Sequence, residues 1–72
     1  MTLNDKYENQ SINRLDIKDT IIKVLESNKI STLGQLCRES KTDLKKLDLT
    51  QKQVDTIEIQ LQLMGLNLKN SL

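Results

Sequence analysis

Histidine, proline, phenylalanine and tryptophan are all missing from these 72 residues, and tyrosine and cysteine occur once each. Without histidine, the commonest general base and metal ligand is gone. With Cys37 alone, neither an internal disulfide nor a thiolate metal site can form. No glycine-rich phosphate loop and no paired-carboxylate spacing with a buried context is present either. The expectation is a chain with no catalytic activity of its own, no cofactor, no metal and no small-molecule substrate. No stretch approaches the ~18 apolar residues that a membrane span needs, and no signal-peptide pattern opens the chain. No membrane association is therefore expected, and placement in the cytoplasm follows by default. A single-signed charge is also lacking: 11 basic and 10 acidic residues leave a net charge of +1, interleaved along the chain. A dedicated nucleic-acid binder normally shows a basic face.

What is present is a series of aliphatic stripes. With no large aromatic rings, the core must come from Leu, Ile and Val, and stability should be modest for a domain of this size. The absence of proline and the presence of only two glycines suit helices joined by short turns. Met1 to about Asn13 is polar and lacks usable periodicity, which predicts a flexible N-terminal arm or linker over residues 1–13. Residues 14–72 read as one helical domain.

Two stretches organise that domain. In Ile30-Ser31-Thr32-Leu33-Gly34-Gln35-Leu36, Thr32 and Gln35 have capping-box spacing; Thr50 and Gln53 repeat it after Asp48-Leu49. An apolar residue stands ahead of each start, Ile30 and Leu49. A first helix is expected from about Ile17 to Ser27, capped by Asp16 or, with a later start, Asp19, with Ile17, Ile21, Val24 and Leu25 on one face. Asn28 is the residue expected to take the left-handed position that ends it. Thr32 to Glu39 predicts a two-turn helix with Leu33, Leu36 and Cys37 inward, Cys37 as a small buried hydrophobe. Gly34 inside that helix costs about 1 kcal/mol against alanine, which suggests that another backbone comes too close for a Cβ. Ser40 with Asp43 starts a very short helix carrying Leu44 and Leu47. The last helix is the clearest: Val54, Ile57, Leu61 and Met64 share a face, Gly65 follows as the terminating residue, and Leu68 covers the end of the core. The predicted class is all-α, a compact domain of four to five helices.

From about Leu15 to Leu68 the chain resembles the C-terminal domain of the bacterial RNA polymerase alpha subunit. The resemblance is carried by Ile30 to Leu36, Asp43-Leu44, Asp48-Leu49, Lys52, Ile57, Leu61 and the close Met64-Gly65-Leu66-Asn67-Leu68. It implies a helix-hairpin-helix-like element and a non-catalytic role in transcription within the DNA-directed polymerase. The implied partners are polymerase subunits, sigma factor or transcription regulators, together with weakly bound A·T-rich DNA. In the family, an arginine and an asparagine on the first helix and the turn opening the last helix carry the DNA contacts. An ungapped match puts Thr20 at the arginine and Lys23 at the asparagine; with a two-residue insertion, Lys18 takes the arginine's place. Asp48 stands for the turn asparagine, Thr50 for the turn glycine, Gln53 for a serine and Thr56 for a glutamate, and Lys52 keeps its identity. Lysine enters a narrow minor groove less well than arginine, and Asp48 adds a negative charge beside the phosphates.

Ile59 and Leu63 lie off the Val54-Ile57-Leu61 face, where the family usually has charged residues. They read either as a wider core stripe or as a protein-contact patch. The functional expectation is an interaction module contacting A·T-rich DNA and regulators. The alternative is a protein-interaction module on the same fold without DNA binding.

Overall fold

In the computed structural model of the protein, which describes residues 7–70, the Thr-x-x-Gln spacings become working capping boxes. Thr32 Oγ1 accepts the Gln35 N–H at 3.2 Å, and Gln35 Oε1 accepts the Thr32 N–H at 3.1 Å. Thr50 and Gln53 make the same exchange at 3.1 and 2.9 Å. Ser40 and Asp43 form a third box. After a first helix α1 (Asp19–Ser27), these boxes open α2 (Leu33–Cys37), α3 (Lys41–Lys45) and α4 (Gln51–Leu63). A 3-10 turn, Ile12–Arg14, precedes them. The domain is all-α: among the described residues the only extended pairings are two isolated bridges, Ser11 with Thr32 and Ser40 with Lys69. No helix is long and apolar enough to cross a membrane.

The aliphatic stripes converge on one core. Ile21, Ile22, Leu25, Leu33, Leu36, Leu44, Val54, Ile57 and Leu61 are buried from the four helices. Ile30, Leu49, Leu66 and Leu68 close it from the connections. Leu49 and Val54, either side of the Thr50 cap, are both buried, as a hydrophobic staple requires. Gly65 ends α4 at φ +80°, with the Leu66 N–H on the Leu61 carbonyl at 2.8 Å and the Gly65 N–H on the Gln62 carbonyl at 2.9 Å. That pair of bonds is a Schellman motif.

Three local expectations are corrected. The start of α1 is capped by neither Asp16 nor Asp19. Lys18 occupies the cap position with no side-chain bond, and Asp19 is the first helical residue, where its charge complements the positive helix end. Ile17 consequently precedes the helix and is only half-buried. At the other end of α1, Asn28 stays at φ −105° and Lys29 takes the left-handed conformation, φ 64°. The reason is the core: Ile30 must turn inward, and its N–H closes on the Leu25 carbonyl at 2.9 Å, one residue later than the asparagine reading allowed. Cys37 is half-buried rather than enclosed. Burial, and then the nearby Glu8 carboxylate, push its thiol pKa up and keep it protonated.

The largest correction concerns the N-terminal arm. The part of residues 1–13 that is described, from Tyr7 onward, is not free of the domain; residues 1–6 lie outside the described residues. Ile12 is fully buried and Tyr7 packs against the core. The segment also fills the start of α2. Its Gln10 carbonyl accepts the Leu33 N–H at 2.8 Å, its Glu8 carbonyl accepts the Gly34 N–H at 3.2 Å, and the Ile12 N–H bonds the Ser31 carbonyl at 3.1 Å. With Thr32 on the Gln35 N–H, every orphan donor of that short helix has an acceptor. A polar segment with one or two apolar residues shows no periodicity, yet it docks because its carbonyls match those donors. Gly34 reports the same contact. A Cβ there would run into the Glu8 carboxyl group, a side chain rather than the expected backbone, although the Glu8 carbonyl also approaches. Glu8 pairs as well with the exposed Arg38 guanidinium.

α3 is fastened to α4 by Lys41, whose Nζ lies 3.0 Å from Glu58 and 3.1 Å from Asp55. The bond from Glu58 and then that from Asp55 hold the Lys41 pKa above its usual value, while Gln51 and then Lys41 depress that of Asp55. Asp43, which accepts the Ser40 N–H, is likewise depressed.

Three measurements test this account. Deleting residues 1–13 should lower the thermal midpoint sharply, and Ile12→Ala should cost about 2–5 kcal/mol in chemical denaturation. An unchanged midpoint would show the segment to be dispensable. Gly34→Ala should help little in the intact protein but stabilise the Glu8→Ala variant by up to about 1 kcal/mol, since only there is the helix-propensity gain unopposed. The pH profile has a definite sign. Asp43 and Asp55 sit below the ordinary carboxylate value of 3.8, so their stabilisation is complete above that value and lost as pH falls through their depressed folded values. Asp43→Asn should shrink that acid limb.

Candidate functional site

The start of α4 differs from that of α2 in one respect. Its capping box satisfies the Thr50 and Gln53 N–H groups, but among the described residues no chain segment is bonded across it as residues 8–10 are on α2. The N–H groups of Gln51 and Lys52 have no intrahelical acceptor and sit at the positive end of a 13-residue helix.

Beside this end runs the extended stretch from Leu15 to Lys18 that leads into α1. Leu15 is buried, which fixes the stretch against the core; Asp16 and Lys18 are exposed, and Ile17 is half-buried. Together the two elements form a cleft of about 440 Å³. One wall is Asp16, Ile17, Lys18 and Ile21; the other is Thr50, Lys52, Gln53 and Thr56. The Thr56 hydroxyl donates to the Lys52 carbonyl at 2.9 Å, which holds that wall in place. Two lysines, one aspartate, two isoleucines and the Lys52 turn of the helix start thus line one concave surface. Such a lining can hold a singly charged anionic group with an apolar part attached. Among the described residues, no group of three or more cysteine or carboxylate side chains is placed to hold a metal.

Of the residues singled out from sequence, Lys18, Thr50, Lys52, Gln53 and Thr56 are brought together here. Thr20 and Lys23 are exposed on α1 but do not line the cleft. Asp48 is exposed in the turn ahead of Leu49, also outside it. Ile59 and Leu63 do not widen the core stripe: they are 53% and 75% exposed on α4.

Asp16, Ile17 and Ile21 were not anticipated as lining residues. From sequence alone, Asp16 reads as a cap and both isoleucines as core. The only signal in the sequence was the Asp16–Lys18 pair flanking an apolar residue just before a helix. No family model matches the chain, and no curated protein matches it.

Proposed function

We propose that this domain is a transcription-associated interaction module, related in role to the C-terminal domain of the bacterial RNA polymerase alpha subunit, that sets its cleft against the backbone of A·T-rich DNA. The observation that carries the reading is the convergence of Lys18 and Lys52 on the open start of α4. Helix-start amides and ammonium groups together are a phosphate-binding arrangement. The cleft also favours Lys18 over Thr20 as the counterpart of the family's arginine, because Lys18 lines it together with Lys52 and Thr20 does not. Asp16 and Asp48 work against an anion, and the net charge of +1 supplies no long-range attraction. Binding is therefore weak, of order 10⁻⁴ M or poorer at physiological salt, the range of contact with phosphates alone.

A second reading rests on a separate observation. Ile59 and Leu63 are exposed on α4, so a protein partner on this helix is supported alongside DNA.

Titration of the protein with an A·T-rich duplex at low salt, followed by amide shifts, tests the first reading. Shifts should gather at residues 16–21 and 50–56. Lys52→Ala should reduce the slope of log K against log salt by about one unit, the loss of one phosphate contact. Asp48→Asn and Asp16→Asn should each strengthen binding. An absence of shifts, or shifts scattered over the surface, would remove the DNA role and leave the protein-contact reading.

A further inference from the structure

Lys52, Thr56, Ile59 and Leu63 follow the spacing i, i+4, i+7, i+11 and so share one face of α4. That face is distinct from the core face, Val54, Ile57 and Leu61. It is distinct also from the flank held to α3, where Asp55 and Glu58, the only acids of the helix, are engaged by Lys41. The stripe therefore carries a single sign of charge. At its N-terminal end it enters the cleft, where Lys18 joins Lys52 against the one carboxylate of Asp16. About 10 Å further along the axis it becomes apolar at Ile59, and one turn on at Leu63.

We infer that this stripe is the docking site of an acidic amphipathic helix running antiparallel to α4. The inference rests on the protein-contact reading of Ile59 and Leu63, and it names the partner's chemistry. A helix is the fitting occupant because an extended segment draws its affinity from a sheet edge, and the described residues form no sheet. An apolar pair four residues apart on the partner meets Leu63 and then Ile59 in matching spacing. Acidic side chains one to two turns beyond that pair then reach Lys52 and Lys18. The antiparallel direction also places the partner's negative C-terminal end beside the positive start of α4. A second copy of this chain does not satisfy the same demands. No Asp or Glu follows Glu58, so an antiparallel copy of α4 brings no acidic side chain to Lys52, and a parallel copy sets Lys52 against Lys52. Because the stripe and the cleft share Lys52 and Thr56, the helix and a DNA backbone exclude one another there.

The probe is a blocked alanine- and glutamine-based helical peptide carrying two leucines four residues apart and two glutamates in the following two turns. Titrated into the isotope-labelled protein, it should shift the amides of Lys18, Lys52, Ile59 and Leu63 together. Replacing its glutamates by lysines should weaken binding about two- to fivefold, the scale of an exposed ion pair. Lys52→Glu should restore the lysine peptide. Ile59→Glu with Leu63→Lys should abolish binding of both peptides while far-UV circular dichroism stays native. No shifts at millimolar peptide would overturn the protein contact itself. Shifts at Ile59 and Leu63 that ignore charge reversal would overturn the acidic antiparallel partner and leave the apolar contact standing. Concentration-dependent dimerisation lost in the Ile59→Glu, Leu63→Lys variant would overturn the proposal in favour of a second copy. Both peptide outcomes are read in the absence of DNA, so they stand apart from the fate of the DNA reading.

Discussion

A helix of five residues cannot hold itself in water, because fixing its first turn costs more conformational entropy than its few hydrogen bonds return. Two of the four helices here, α2 and α3, are that short. What makes them possible is the exchange of hydrogen bonds at their starts, where a threonine or serine and the residue three positions later satisfy each other's backbone donors. The caps fix the direction in which each chain segment enters its helix. They thereby aim Leu33, Leu36 and Leu44 into one aliphatic centre. Lacking large aromatic rings, that centre gains its area only if every short element delivers its one or two leucines. Capping and core are thus mutually dependent.

This dependence explains what could be read from the sequence. Capping boxes are local codes, so Thr32–Gln35, Ser40–Asp43 and Thr50–Gln53 were legible without any knowledge of the tertiary structure. The periodicity of α4 and the terminating role of Gly65 were legible for the same reason. Features decided by tertiary packing were not. Whether Asn28 or Lys29 takes the left-handed residue depends on where Ile30 must turn to be buried, and burial overrode the better intrinsic preference of asparagine. The docking of residues 8–12 on α2 depends on carbonyl groups, which every residue has, so no side-chain pattern announced it. Gly34 did register the crowding, but a glycine reports only that something is close, not what it is.

The candidate site divides along the same line. The turn-and-helix start from Thr50 to Thr56 was readable as a unit, being contiguous. Its pairing with Lys18 rather than Thr20 or Lys23 rested on the true start of α1, two residues later than expected. The cleft exists because Leu15 is anchored in the core and the chain reaches α1 in extended form, leaving Ile17 as a wall and not as a core residue. The two helix starts then serve opposite ends. That of α2 is closed by the chain itself and is structural, whereas that of α4, among the described residues, is left open beside two lysines.

The closed start of α2 has a mechanical side. Tension applied to the chain upstream of Tyr7 is delivered first to the Glu8 and Gln10 carbonyls on α2, and next to Ile12 in the core. These attachments follow one another along the segment, Glu8 first, then Gln10, then Ile12. Peeling the segment from α2 uncovers the amides of Leu33 and Gly34 and withdraws Ile12, while the Lys41 pairs that fasten α3 to α4 involve none of the residues of that segment.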